Sequence, residues 1–423
     1  MVEEQAARVL ASQASLGATE TVDLLAARGR VLAEPLVADR DFPPFPRATR
    51  DGYAVRAADV EQVPARLQVI GEIKAGDSAE KCIVNRGQTV SIMTGAALPA
   101  GADAVVMVEY TAELPHPNAA QNATLGWGTL GEQRDTPSGT FVEIRQSAKS
   151  GENFVPRAAE AKAGQLLVDR GRRLDHALIA IAASVGKSQV DVFRKPRVAV
   201  LSTGDEVEEI GTTPGPAQIR NSNSYSLAAQ IEEAGGEAVR LPIAPDEPTR
   251  LRALMEEGLR CDLLLLTGGV SMGKYDLVEQ VLAEMKAEFY FTGAKIQPGK
   301  PIVFGSCGAP HTKYFFGLPG NPVSTMITFR LFAQPMVAAL TGARPEPLVF
   351  LKARLKSEVR TKVGLTRFLP AVVSGEFESA EVELAAWQGS GDIAALARAN
   401  CYLVIPPDRE RIEAGEPVSL LLP

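Results

Sequence analysis

Three short segments join glycine to hydroxyl or carboxylate side chains in a way that suits a phosphorylated ligand. They are Ser202-Thr203-Gly204-Asp205-Glu206, Thr267-Gly268-Gly269-Val270-Ser271-Met272-Gly273 and Leu318-Pro319-Gly320-Asn321-Pro322-Val323-Ser324. Glycine lets backbone N–H groups come close to a ligand. A helix that starts after such a turn presents unpaired N–H groups and partial positive charge, the setting for phosphate. The second and third segments each lead into a helical pattern. One Gly-rich turn is often only a turn, whereas three at one sheet edge define a candidate site. A fourth segment, Gln297-Pro298-Gly299-Lys300-Pro301, is a turn whose Lys300 offers a point charge to a phosphate, to an oxyanion or simply to water.

Carboxylates cluster on the same loops: Asp205, Glu206, Asp246 and Asp276. Beside phosphate-binding backbone such groups hold a hard cation such as Mg2+ or contact ribose hydroxyls. Each also reads as a helix cap, Asp246 in particular for a helix over 249–259. Two further segments, Thr49-Arg50-Asp51-Gly52-Tyr53-Ala54-Val55 and Ile92-Met93-Thr94-Gly95-Ala96, lie in a different region. A role for Asp51 or Thr94 therefore requires a site shared between domains or subunits.

The elements that must position these groups are legible from pattern. Residues 197–201, 237–243, 262–266, 302–305 and 314–318 read as strands. Residues 225–234, 249–259, 274–286 and 323–340 read as helices. Strands alternating with helices imply a mostly parallel sheet covered on both faces, with ligands beyond the C-terminal strand ends. Upstream, residues 9–14 and 22–32 have helix-compatible spacing, and Phe42-Pro43-Pro44-Phe45-Pro46 is a stiff extended linker. Residues 51–142 are β-like, with apolar runs at 67–70, 89–93 and 104–108. Residues 112–140 are polar and aperiodic, a surface loop or hairpin extension. Helical character returns at 174–185. The tail, 345–423, reads as short strands and turns of a small β-barrel or sandwich.

Composition sets the outer bounds. At 423 residues the chain has room for two to four domains, and 45% hydrophobic residues supply core material. Lys and Arg number 44 against 51 Asp and Glu, a net charge of −7, which argues against a nucleic-acid partner. No basic, apolar leader opens the sequence and no apolar run approaches the roughly 18 residues of a membrane span, so no membrane role is expected. The four cysteines (Cys82, Cys261, Cys307, Cys401) are scattered singly and the three histidines lack metal-like spacing, so a cytoplasmic protein without a Cys or His metal site is expected.

The ordered motifs FPPFPRATRDGYAV, IMTGAALPAGADAVVMVE, VLSTGDEV, IRNSNSY, LLLLTGGVSMGKYD, QPGKPIVFG and FGLPGNPVSTMITF run over most of the chain. In them the chain resembles the molybdopterin molybdenumtransferase family. The resemblance implies a multidomain α/β plus β architecture: an extended linker domain (1–46 and 143–175), a β-rich domain (47–142), a MogA-like, mostly parallel α/β molybdopterin-binding domain (176–342) and a C-terminal β-barrel (343–423). It implies insertion of molybdenum from molybdate into adenylylated molybdopterin with release of AMP, a divalent cation (Mg2+), a homodimer with its active site between subunits, and transient contact with the molybdopterin adenylyltransferase. By the same resemblance, Asp51, Thr94, Glu206, Asp246, Asp276 and Lys300 match catalytic positions. Asp205, Glu206 and Asp276 match cation positions. Gly204, Asn221, Gly268, Gly269, Ser271, Pro298, Gly299, Asn321 and Ser324 match pterin and phosphate loops, while Arg367 and Ser390 match positions that help hold molybdate.

Three departures stand out. Gln297 occupies a place where the family commonly has Lys, which removes a positive charge beside the expected molybdate site. Ala158-Ala159-Glu160 stands where Gly-x-Asp is common, and residues 112–140 are longer than the usual connection. Two other readings are a nucleotide amidohydrolase on the same α/β domain, which would lack the DGYAV and MTG motifs, and a non-catalytic scaffold.

Overall fold

A computed structural model describes residues 17–114, 140–269, 277–308, 312–344, 346–376 and 379–423. The expected helix at 9–14, most of the 112–140 segment, Ser271 and Asp276 lie outside the described residues. The chain divides into two compact units. One comprises 35–169 with 181–187; the other comprises 170–180 and 188–423 together with the segment ending at Glu34.

The larger unit is built on a six-stranded sheet. Its elements are β1 (Arg197–Ser202), α1 (Ser222–Glu233), β2 (Glu237–Arg240), α2 (Pro248–Gly258), β3 (Leu263–Thr267), α3 (Leu277–Glu284), β4 (Glu288–Phe291), β5 (Val303–Cys307), β6 (Lys313–Leu318), α4 (Pro322–Thr328) and α5 (Gln334–Leu340). The strand order is β2-β1-β3-β6-β5-β4. The first four are mutually parallel, and β5 and β4 run antiparallel at one edge. Alternation along each strand divides the core. Val198, Val200, Leu263 and Leu265 pack with Leu227 and Ile231 of α1 and with Ile327 and Met336. Ala199, Leu201, Leu264 and Leu266 pack on the other face with Leu251 and Met255 of α2 and with Val278 and Leu282 of α3. A strand buried on both faces needs apolar residues throughout, and Leu263–Leu266 meets that demand.

β2 stops at Arg240 instead of continuing to residue 243, because Pro242 has no N–H to donate to a ladder. The expected helix at 323–340 is interrupted by a π-helical stretch, Phe329–Ala333, between α4 and α5. Pro322–Leu340 is the one helix among the described residues that is long and apolar enough to cross a membrane. Two thirds of it (67%) is buried in the fold, where it serves as a core helix.

The C-terminal residues form a closed five-stranded barrel, in the order Thr366–Ser374, Glu381–Leu384, Phe350–Leu355, Pro417–Leu421 and Cys401–Ile405, which pairs back to the first strand. Phe368, Tyr402 and Leu421 from this barrel share one apolar cluster with Phe329 and Phe332. The barrel and the α/β sheet are thus one continuous core.

The smaller unit carries a mixed six-stranded sheet in the order Ala104–Met107, Gly52–Val55, Gln88–Ile92, Ala65–Ile73, Phe141–Ile144 and Thr111–Leu114. Its linker strands are short antiparallel pairs, Leu36–Val37 with Leu166–Val168 and Arg47–Ala48 with Phe154–Val155. The expected helix at 22–32 is corrected. Thr19–Asp23 is a strand paired with Gln189–Phe193, followed by one 3-10 turn, Leu25–Ala27. Thr19, Thr21 and Val22 are β-branched and favour the strand once a partner is present. Gly29, at φ 76°, then turns the chain out of any helix.

Candidate active site at the sheet edge

β1, β3 and β6 are neighbours in register. Ser202 pairs with Thr267 and Thr267 with Leu318, so the three glycine-bearing loops leave the sheet side by side. Between them opens a cavity of about 370 Å3, walled by Thr203, Glu206, Asn223, Gly268, Gly269 and Asn321 among others. Small-molecule sites span roughly 300–1,000 Å3.

The glycines are required by close approach. A Cβ on Gly268 (φ 92°) would stand 2.6 Å from the Thr203 carbonyl oxygen, and one on Gly269 (φ 61°) 2.9 Å from Thr203 Oγ1. Thr203 is 3% exposed, and its Oγ1 has no hydrogen-bond partner among the described residues. Asn223 Nδ2 donates to Thr267 Oγ1 (3.0 Å) and to the Gly320 carbonyl (2.7 Å), tying α1 to the second and third loops. That arrangement leaves Asn223 Oδ1 as a buried acceptor without a donor. Buried polar atoms of this kind call for a ligand or water to complete them. A ligand carrying N–H donors fits Asn223 Oδ1.

Asn221 has a different role from its neighbour. Its Oδ1 accepts from Ser224 N (3.2 Å) and Ser202 Oγ (2.9 Å), so it caps α1 from the cavity wall. Asn223 and Thr203, which the sequence reading did not single out, carry the open polar atoms. Asn223 was signalled only by its place two residues inside a helix start, and Thr203 by its place at a strand exit. The first turn of α1 (Ser222, Asn223) and Arg220 also line the cavity and together suit an anionic group.

The third loop differs from expectation. Pro322 has no N–H, Val323 N donates to the Ser390 carbonyl (3.1 Å), and Thr325 N closes onto Asn321 O (2.9 Å). Asn321 Nδ2 donates to Ser390 Oγ (3.0 Å). The helix start expected to receive phosphate is therefore partly taken by the barrel segment, which brings Ser390 to the cavity's rim. Ser324 is 4% exposed inside α4 and is not part of the cavity wall.

Asp205 and Asp246 come together: Asp205 Oδ1 accepts from Asp246 N (3.0 Å). Glu247, not Asp246, occupies the cap position of α2, and no side chain closes that cap. Glu206 folds back over Gly204 (φ 128°), where a Cβ would meet its carboxylate at 2.4 Å. Asp205, Glu206 and Asp246 are exposed. The described residues contain no cluster of three metal-ligating side chains, and Asp276 lies outside them. The donors present, Asp205 and Glu206 carboxylates at the cavity mouth, are hard oxygen ligands of the kind Mg2+ takes.

The Gln297 segment reaches the same region from the barrel side. Ile296–Gln297 adds to the barrel as a strand parallel to Thr366–Arg367, with Gln297 opposite Arg367. Arg367 Nη1 donates to Gln297 Oε1 and Nη2 donates to the Lys362 carbonyl (2.8 Å). Pro298 and Gly299 are buried, and a Cβ on Gly299 (φ 105°) would stand 2.4 Å from Thr328 Cγ2. Lys300 is exposed, and Pro301 lines the cavity.

Asp51 and Thr94 meet in the smaller unit. Asp51 Oδ1 accepts from Thr94 N (2.6 Å) and Thr94 Oγ1 (2.8 Å). These bonds, the backbone one foremost, hold the Asp51 carboxyl below the usual carboxylate range.

Fold and cavity define a phosphate-ligand-binding α/β domain fused to a β-barrel, with a polar cavity at the carboxyl edge of its sheet. Residues 1–186 match the MoeA N-terminal region (domain I and II), 199–339 a probable molybdopterin binding domain, and 352–422 the MoeA C-terminal region (domain IV). A molybdopterin molybdenumtransferase of Nostoc sp. is 34% identical over 95% of this chain and 88% of its own length. One from Staphylococcus aureus is 31% identical over 100% and 95%. The crystal structure of a molybdopterin biosynthesis MoeA protein from Pyrococcus horikoshii superposes with a TM-score of 0.75 at 29% identity, covering 99% of both chains. The chain belongs to the molybdopterin molybdenumtransferase (MoeA) family.

Proposed function

We propose that this chain inserts molybdenum into molybdopterin, a transferase step of molybdenum cofactor biosynthesis. One observation carries the reading: every wall residue of the sheet-edge cavity falls within the segment that matches a probable molybdopterin binding domain. The chemistry of the wall supports it. The open Asn223 Oδ1 accepts from a heterocycle N–H, and the α1 start with Arg220 receives a phosphate.

In the finer reading the substrate is adenylylated molybdopterin, and molybdenum insertion is coupled to cleavage of its phosphoanhydride and release of AMP. Asp205, Glu206 and Asp276 would hold Mg2+, which when bound screens pyrophosphate charge. Asp246 backs this group through its bond to Asp205. Lys300, Arg367 and Ser390 face the incoming molybdate. Asp51 and Thr94 would be supplied by the second subunit of a homodimer. Exposed Met93 (41%) and Val108 (50%), each joined to the Asp51–Thr94 pair through neighbouring backbone, support a surface that another subunit covers. Four free cysteines support a reducing cytoplasm. The adenylyltransferase that makes the substrate would be a transient partner.

The test is AMP release from adenylylated molybdopterin with Mg2+, with and without molybdate. Molybdate-dependent release supports the reading. Tight binding without release contradicts it and favours a scaffold.

A further inference from the structure

Arg367 is only 8% exposed, yet its partners among the described residues are neutral: the Gln297 amide oxygen and the Lys362 carbonyl. Its Nε is buried and has no acceptor. A guanidinium has five N–H donors, so several remain unused. A buried cation without a counter-charge is costly, and an arriving anion relieves that cost. Gln297 is exposed and lies in strand register over this guanidinium.

We propose that Gln297 is a positioning residue that sets the oxyanion affinity of this site: its amide oxygen tethers the Arg367 guanidinium without cancelling its charge. The inference rests on the transferase reading and deepens it. A neutral tether fixes the fork of donors while leaving a full positive charge to meet a tetrahedral dianion such as molybdate or tungstate. A carboxylate at 297 would hold Arg367 equally well but neutralise it. A lysine there would repel it and surrender the tether.

The two functions of a tether, holding and not neutralising, separate in one substitution. Gln297→Glu should keep or raise the melting temperature, because it pairs a buried charge. It should also weaken molybdate and tungstate binding at least 10-fold in calorimetric titration of the full chain with each oxyanion alone. In steady-state assays KM for molybdate should rise while KM for adenylylated molybdopterin stays within two-fold. Gln297→Leu should lower both melting temperature and oxyanion affinity. Wild-type oxyanion affinity in Gln297→Glu overturns the inference, and if the wild-type chain still releases AMP with molybdate, the transferase reading stands without it. Oxyanion binding that falls in Gln297→Glu while the wild type releases no AMP supports the tether and sinks the transferase reading. A wild-type chain that binds no oxyanion overturns the tether outright.

Discussion

At the scale of single residues the site is defined by polar atoms that the fold leaves open. Thr203 Oγ1 has no partner among the described residues although the residue is 3% exposed. Thr203→Val keeps the shape and removes an unpaired hydroxyl. It should stabilise the chain by about 1 kcal/mol, and weaken binding of molybdopterin by about 10-fold if the hydroxyl contacts ligand, an effect of about 1.4 kcal/mol. Thermal denaturation and equilibrium binding on the same sample check both signs. Asp51 gives a second residue-scale prediction. Its carboxyl is held low by Thr94, so its share of stability is present above the unfolded-state value near 3.9 and lost as pH falls through the lower folded value. Carboxyl-carbon NMR should show Asp51 titrating below pH 3.8. In Thr94→Val, which removes the hydroxyl bond and keeps the backbone bond, the midpoint should move up part of the way.

At the scale of elements, the strands and helices of the α/β sheet were legible because each carries its own period. Leu263–Leu266 could be read as a two-face-buried strand from its unbroken apolar run, and the three glycine loops from the turn residues just past each strand end. Thr19–Asp23 was not legible, because its strand character depends on Gln189–Phe193, some 170 residues away. The same holds for the edge strand β4, whose Phe289–Phe291 pairs antiparallel with β5 and whose aromatic side chains read equally well as helix or loop. The aromatic core beneath the site makes a testable element. Phe304 is fully buried, stacks on Phe316 at 4.3 Å between centroids and touches Tyr290 and Phe291. Phe304→Ala should cost about 3–5 kcal/mol, seen as a lower denaturant midpoint with an unchanged slope.

At the scale of the whole molecule, an ordered set of motifs pointed to the family, but no motif shows what it touches. Asn321 reaches Ser390 and Gln297 reaches Arg367 because the barrel closes against the α/β core through Phe368, Tyr402 and Leu421. Those contacts join residues 69 and 70 positions apart, and local spacing carries no trace of them. The same closure corrects the phosphate assignment: the barrel's Ser390 takes the Val323 N–H, so α1 is left as the described helix start at the cavity. The central claim is that this cavity works on molybdopterin and metal together. The most direct measurement tracks molybdenum bound to the pterin and AMP released, in one reaction of purified chain, adenylylated molybdopterin, Mg2+ and molybdate. Both products should appear together, about one metal per AMP, and neither should appear without molybdate. AMP released with no metal on the pterin, or neither product from a chain that binds its pterin tightly, would contradict that claim.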